Sequence, residues 1–372
     1  MDRKAALNKW VGECRHAGDI ALISDPKAFA DAEEQYDAAI GSRNEVSSGS
    51  AVYQLWKWFG GGNGGVALEM GAGSGAITRG FVEAAAGFAT LVTDPSVTFL
   101  ELTRKKLAAG HLAPDAVVCY ATLMGEDIST LPPCQFDIVF AQACLHHVAD
   151  WKKFISDAQN VLVPGGILVF QEPFSEGTYL MGLAAEILAT VPSLPEADRQ
   201  LLESMRGSIY LLSDRSVNKD HGEDKHCFYT DEMILTCQEA FGNVRFFRNQ
   251  SFDSIAATSA ANGSVAGAAR CPPANVDFHS GREASTASLL TYCASFFRQH
   301  YGISEDAMAL FDQAVVPKFE RLDRLYRQGD GPALLGVVLC RKRSNLRGKA
   351  DKLRSLVATR DRRASTRSTS LT

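Results

Sequence analysis

The feature that most limits what this chain can fold into is an apolar run that ends abruptly in glycines. Val66-Ala67-Leu68-Glu69-Met70 is followed by Gly71-Ala72-Gly73-Ser74-Gly75, and Ala76 to Ala86 then reads as a helix. A short apolar run bounded by turn residues reads as a buried strand. Glycine permits the backbone angles of a sharp turn and the close approach of a ligand. The helix behind the turn presents unpaired N–H groups and the positive end of its dipole to a carboxylate or phosphate. The unit is therefore strand, tight turn, helix, with an anion-friendly loop between them.

The same unit repeats along the chain. Ala89 to Thr93 reads as a strand ending at Asp94, and Val97 to Ala109 as a helix. Ala116 to Tyr120, Phe136 to Ala141 and Gly166 to Gln171 read as further strands, with a helix from Trp151 to Leu162 before the last of them. Strands alternating with such helices predict βαβ units, right-handed crossovers and a parallel sheet. Further on, Thr230 to Phe241 predicts a helix with Thr230 as N-cap and two acids in its first turn. Val244 to Phe247 predicts a sixth strand and Leu334 to Cys340 a last one. Outside this alternation, residues 1–60 read as a helical cap ending in a glycine break. Leu180 to Met205, Ala284 to His300 and Glu305 to Arg327 predict further helices. Ser213 to Cys227 predicts a mobile loop, and Ser254 to Pro273, rich in Ala, Ser and Gly, another loop.

At 372 residues the chain exceeds one minimal domain and fits an α/β core with insertions. The expected division is a cap over 1–60, a core over 61–251 carrying a lid insertion at about 174–227, a helical insertion over 252–331, the last strand over 332–343 and a tail over 344–372. A net charge of −5 gives no reason to expect nucleic acid as a partner. The tail is the exception in charge: from Arg341 to Thr372 it holds eleven Lys/Arg against two Asp/Glu and reads as disordered. Nine cysteines without a C-x-x-C pair predict reduced thiols in the cytoplasm. The start Met1-Asp2-Arg3-Lys4 shows no secretory leader, and no apolar run is long enough to predict membrane insertion.

Taken alone, the glycine loop is ambiguous. Gly71, Gly73 and Ala76, with Asp94 downstream, satisfy the dinucleotide fingerprint and its ribose acid. Three features favour a different cofactor. Glu69 at the strand end can hold a cationic amino group, which S-adenosylmethionine (SAM) has and NAD lacks. Phe136-Asp137-Ile138-Val139 leads through Gln142 to Leu145-His146-His147-Val148. Val161-Leu162-Val163-Pro164-Gly165-Gly166 runs into a strand that ends Gln171-Glu172-Pro173. In this order and spacing the chain resembles the class I SAM-dependent methyltransferase family, especially its broad small-molecule branch. The likeness is strong from Val66 to Phe174 and looser over Phe228 to Phe247 and Leu334 to Cys340.

The resemblance implies a Rossmann-like sheet of seven mostly parallel strands, order 3-2-1-4-5-7-6, with one antiparallel strand at an edge and added helical lid segments. It implies SAM as cofactor, with Glu69, Gly71, Ala72, Gly73 and Gly75 at its methionine end. Asp94, with Pro95 beside it, falls on the ribose side, and Gln142 with the residues after it on the methyl-transfer side. The family's acidic adenine reader after the third strand is missing near Ala121-Thr122, and Glu126 or Asp127 stands nearest as a substitute.

The implied chemistry asks mainly for alignment of a nucleophile with an electrophilic methyl, which can supply ~7–11 kcal/mol of a barrier. A positioned base would add ~10²–10⁴-fold. His147, His146 and Glu172 are the catalytic candidates; the two histidines read equally as pocket floor. His226 and Tyr229 could reach in from the loop. No His/Asp/Glu group has metal-ligand spacing, so no metal is expected. Trp10, Tyr36, Trp56, Phe174, Tyr179 and Met181 read as pocket wall or as ordinary helix packing. The helices after Phe252 need an apolar partner, either the lid or a second subunit in a homodimer.

The expected acceptor is an oxygen or nitrogen of a small organic molecule. Gln142-Ala143-Cys144-Leu145 stands where base- and amide-methylating relatives carry Asn-Pro-Pro-Tyr. Three alternatives stay open: another reaction on the same fold, a catalytically silent SAM-binding subunit, and an NAD-dependent oxidoreductase.

Overall fold

A computed structural model describes residues 2–27, 46–110, 116–214, 224–252, 254–255, 288–327 and 331–343. The basic tail from 344, the Ala/Ser/Gly-rich stretch beyond 255, the loop residues 215–223 and Tyr36 lie outside the described residues. The strands are β1 (Arg15–Ala17), β2 (Ile20–Leu22), β3 (Gly65–Met70), β4 (Phe88–Thr93), β5 (Val117–Thr122), β6 (Phe136–Gln142), β7 (Leu162–Pro173), β8 (Val244–Arg248) and β9 (Leu335–Arg341). The helices flanking the sheet are α1 (Arg3–Glu13), α2 (Val46–Trp58), α3 (Ala76–Ala84), α4 (Val97–Ala109) and α5 (Trp151–Val161). After β7 come α6 (Ser175–Ala189), α7 (Glu196–Ser213), α8 (Thr230–Phe241), α9 (Leu289–Tyr301), α10 (Glu305–Ala314) and α11 (Val316–Arg327).

All nine strands form one sheet, in the order β1-β2-β5-β4-β3-β6-β7-β9-β8. From β5 to β8 this is the expected seven-strand order. The expected count is short by two, because Arg15–Leu22 is a hairpin and not part of a helix. Its second strand runs parallel to β5 and extends the sheet. The hairpin turns at Gly18, whose φ of +61° suits glycine. The antiparallel strand is also placed differently from the expectation. β9 runs antiparallel to both β7 and β8 and lies between them, so β8 is the edge.

β3 and β4 are buried at every position, as a parallel sheet covered on both faces requires. Their side chains divide between two cores. Val66, Leu68 and Met70 face a core completed by Leu7 and Val11 of α1, Phe154 and Ile155 of α5, and Met233 and Phe241 of α8. Ala67 faces the other, with Ala51 and Leu55 of α2 and Ile77 and Phe81 of α3. α2 and α3 meet backbone to backbone at Gly49: a β-carbon there would stand 2.0 Å from the Ile77 carbonyl oxygen.

The helices added after β7 build a third core of their own. Met181 and Leu188 of α6, Met205 of α7, Phe297 of α9, Phe311 of α10 and Phe319 of α11 pack together. Among the described residues, the helices after Phe252 thus find their apolar partner in the helices that follow β7. Thr230 is the first residue of α8 and not its cap; the orphan N–H there donates to Glu176 Oε1 of α6 at 3.0 Å.

Asp137 lies at the amino end of β6, at the opposite edge of the sheet from the strand ends that matter below. Its Oδ2 accepts from the Val66 N–H at 2.8 Å and faces Arg3 of α1 at 2.9 Å. This one carboxylate ties two central strands and the first helix together. Asp137→Ala should cost about 1.5–3 kcal/mol of unfolding free energy in a urea titration, since it leaves a buried N–H unpaired. A loss under about 0.5 kcal/mol would contradict the assignment.

Candidate active site

The carboxyl ends of β3, β4, β6 and β7 lie side by side, and each delivers one of the predicted site residues. In open α/β sheets this is the edge where ligands bind. β3 ends in Glu69-Met70 and turns through Gly71, Gly73 and Gly75, with φ of +66°, +52° and +82°. A β-carbon on Gly71 would stand 2.5 Å from the Cys144 sulfur, and one on Gly75 2.7 Å from Thr103. The turn is held by Ala72 N–H to Thr93 O at 2.9 Å and by the Thr103 hydroxyl to Gly73 O at 2.9 Å.

Asp94, at the end of β4, joins this loop to the next. Its Oδ2 accepts from Gly73 N–H at 2.9 Å and its Oδ1 from Ser96 N–H at 2.8 Å. The cap of α4 is Ser96, whose hydroxyl accepts from Phe99 N–H. Asp94 thus bridges the two loops. Pro95 contributes its carbonyl to Lys27 N–H at 3.0 Å.

Glu69 is the anomaly of the site. It is fully buried, and neither carboxyl oxygen has a hydrogen-bond partner among the described residues. The neighbouring Thr78 hydroxyl favours the charged form, but it too makes no hydrogen bond of ordinary geometry. Burial dominates and, with Asp94 nearby, pushes the Glu69 carboxyl up to about 8. A buried charge without a partner is expensive, so the ligand-free fold favours the neutral acid. A cationic ligand group at this carboxyl reverses that balance. Gln142, at the end of β6, likewise has a buried side-chain oxygen without a partner.

The segment after β6 is strained and pegged. Ala143 has a φ of +48°, uncommon for a residue with a side chain. Cys144 follows, then a 3-10 turn over Leu145–His147. The peg is Glu172, at the end of β7. Its Oε1 accepts from Cys144 N–H at 2.8 Å and Leu145 N–H at 2.7 Å, and its Oε2 pairs with His146 Nδ1 at 2.7 Å. Glu172 is 1% exposed and fully engaged, which puts it behind the site, where it orients His146.

A second segment crosses this turn. Lys225 N–H and His226 N–H both donate to His146 O, at 2.8 and 3.1 Å. His226 Nε2 donates to Ala149 O at 2.9 Å, and Phe228 O accepts from Ser175 N–H at 2.7 Å. So anchored, Asp224 Oδ1 stands 3.4 Å from His146 Nε2 and 3.3 Å from His147 Nδ1. Burial disfavours the His146 imidazolium, but the charges of Glu172 and Asp224 and the Glu172 hydrogen bond outweigh it and raise the pKa. Cys144 is pushed the other way from reactivity: burial, then Glu172, hold its thiol neutral.

The remaining candidates make contacts within the fold. Asp127 accepts from the Ser24 hydroxyl at 2.6 Å, and Glu126 from Ala149 N–H at 2.7 Å. Trp56, Phe174 and Met181 are buried in the cores, and Trp10 packs against the first of them. Tyr179 is 36% exposed, its hydroxyl 3.4 Å from that of Tyr229. Sequence reasoning did not single out Asp224, whose polar surroundings give no periodicity to read.

Comparison with known proteins adds the following. Residues 68–168 match the family model described as a methyltransferase domain. A ubiquinone biosynthesis O-methyltransferase of Rhodopseudomonas palustris is 32% identical over 102 residues, which is 27% of this chain and 37% of that protein. A thiol S-methyltransferase of Rattus norvegicus is 32% identical over 111 residues, 29% of this chain and 43% of that one. The chain thus spans about two fifths of the length of these curated relatives. A solved phosphoethanolamine N-methyltransferase of Haemonchus contortus aligns over 84% of this chain and 60% of its own, with 14% identity and a TM-score of 0.39.

The raised Glu69 carboxyl has a measurable consequence. Between the ordinary carboxyl range and about 8 the folded chain keeps a proton that the unfolded chain has lost. This group therefore withdraws stability as pH rises through that window. The unfolding free energy of the wild type, taken relative to Glu69→Gln, should fall steadily from about pH 5 to about pH 8 in urea titrations. A pH-independent difference would contradict the buried acid.

Proposed function

We propose that this chain, whose residues 68–168 belong to the methyltransferase domain family, transfers the methyl group of SAM to a heteroatom of a small organic molecule. The observation that carries the reading is Glu69. An orphan buried carboxyl at the end of the central strand suits the α-ammonium group of SAM, and nicotinamide dinucleotides bring no such cation. The bound donor supplies a methyl on a sulfonium, already electrophilic.

The protein's own part is to hold and exclude. Glu69 takes the ammonium, and the loop from Gly71 to Gly75 gives the close approach that β-carbons would block. Asp94, at the junction of the two loops, accepts from ribose hydroxyls. Gln142 and the turn after it form the wall toward the acceptor. Proximity then accounts for most of the acceleration, ~7–11 kcal/mol where alignment is good.

For an acceptor that must lose a proton, the histidine turn is the receiving group. His146 is fixed by Glu172, and His147 is one-third exposed and so reachable. The relatives described above are named for O- and S-methylation, so hydroxyl and thiol acceptors head the panel, with amines after them. The substrate and the homodimer raised by the sequence remain expectations. No helix among the described residues is long and apolar enough to cross a membrane.

Incubation of the full chain with SAM and a panel of small phenols, thiols and amines should release S-adenosylhomocysteine with at least one class. SAM binding without turnover on any class would instead favour a silent binding subunit. Asp94→Ala should weaken SAM binding by more than ~1 kcal/mol, since it removes a partner from polar ligand groups. An unchanged affinity would refute the ribose assignment.

A further inference from the structure

His146, His147 and Asp224 offer three ligand atoms that all lie within 4.8 Å of one another. Two of the separations are known closely: Asp224 Oδ1 is 3.3 Å from His147 Nδ1 and 3.4 Å from His146 Nε2. For metal–ligand bonds of about 2.0–2.1 Å, a tetrahedron has edges of roughly 3.3–3.4 Å. These two separations suit a four-coordinate ion of zinc size, and the third donor pair lies within 4.8 Å. The two also exceed an ordinary N–H···O hydrogen bond, for which about 2.7–3.2 Å is usual.

The surroundings supply what such a site needs. His146 presents Nε2 to the cluster because its Nδ1 is engaged by Glu172 at 2.7 Å. With Nδ1–H donating to that carboxylate, the lone pair is left on Nε2, the tautomer a metal requires. A buried carboxylate behind a ligating imidazole is the usual outer partner that fixes ring orientation and raises ligand basicity. Glu172 is itself immobilised by two backbone N–H groups. Asp224 is held by the two N–H bonds that Lys225 and His226 make to the His146 carbonyl. His146 and Asp224 are thus prepositioned, and the three donors come from two segments far apart in sequence. The donor set, two imidazoles and one carboxylate, selects a borderline transition ion over calcium or magnesium, which prefer oxygen.

We infer that His146, His147 and Asp224 form a binding site for a zinc-class divalent cation, with Glu172 as its outer partner and one coordination position left open. The ion would lock the segment from Asp224 to Phe228 onto the turn at the end of β6. The donors and their supports are defined without any SAM, but an ion held by these two imidazoles would replace the proton-accepting role given above to the histidine turn.

The test uses the full chain, stripped with a chelator and dialysed. Titration with Co2+ alone should give saturable one-to-one binding and the intense visible bands of a four-coordinate ion; Zn2+ should displace it. Zn2+ should also raise the thermal unfolding midpoint. His147→Ala and Asp224→Asn should each weaken Zn2+ binding at least tenfold in calorimetry, and Glu172→Gln by about 10–100-fold. Far-UV circular dichroism checks that each variant is folded. Asp224→Asn, a half-exposed change, keeps the test decisive where Glu172→Gln fails to fold. No saturable binding by the wild type would overturn the inference. So would binding that is unchanged in both His147→Ala and Asp224→Asn, which would assign the ion to other groups such as the cysteines.

Discussion

Two carboxyls are buried at the carboxyl ends of β3 and β7, on either side of β6, and the difference between them organises the molecule. Glu172 has three partners, spread over both oxygens; Glu69 has none. A buried polar group without a hydrogen bond costs free energy that a marginally stable chain seldom wastes. Glu172 spends its bonding capacity on the protein, folding the turn after β6 and aiming His146. Glu69 keeps its capacity for a ligand. At one and the same end of the sheet, one carboxyl is built in and the other is prepared.

The rest of the structure can be read as support for this edge. Parallel strands fully covered on both faces bring the ends of β3, β4, β6 and β7 into line. Asp137 fixes the register of β3 and β6 from the opposite end of the sheet. Asp94 couples the first two loops, and Gly71 lets Cys144 pack against the glycine turn, so the donor side and the acceptor side share a wall. The helices added after β7 close on each other in a separate core. Burial raises the pKa of Tyr301 at the end of α9, and Asp224's charge adds to it.

Much of the fold was legible because it rests on local signals. The apolar runs of the parallel strands and the glycine turn each declare themselves within a dozen residues. The hairpin at Arg15–Leu22 did not: its strands are three residues long, one of them fully exposed, and it follows directly on the helix α1. The site was legible only as far as its residues are contiguous with those signals. Glu69, Asp94 and Gln142 stand at strand ends and could be placed. The role of Glu172 could not, since it depends on backbone N–H groups of another strand's turn. The grouping of Asp224 with His146 and His147 depends on a loop crossing that no spacing encodes.

The central claim is that Glu69 is a cation receptor waiting at the end of the central strand. Calorimetric titration of the full chain with SAM at pH near 7, repeated in buffers of different ionisation enthalpy, addresses it directly. The buried acid must ionise as the ammonium arrives, so wild-type binding should release close to one proton, while Glu69→Gln should bind more weakly and release almost none. NAD should not compete. Equal proton uptake or release by the two proteins, or tight binding of NAD with none of SAM, would contradict the account.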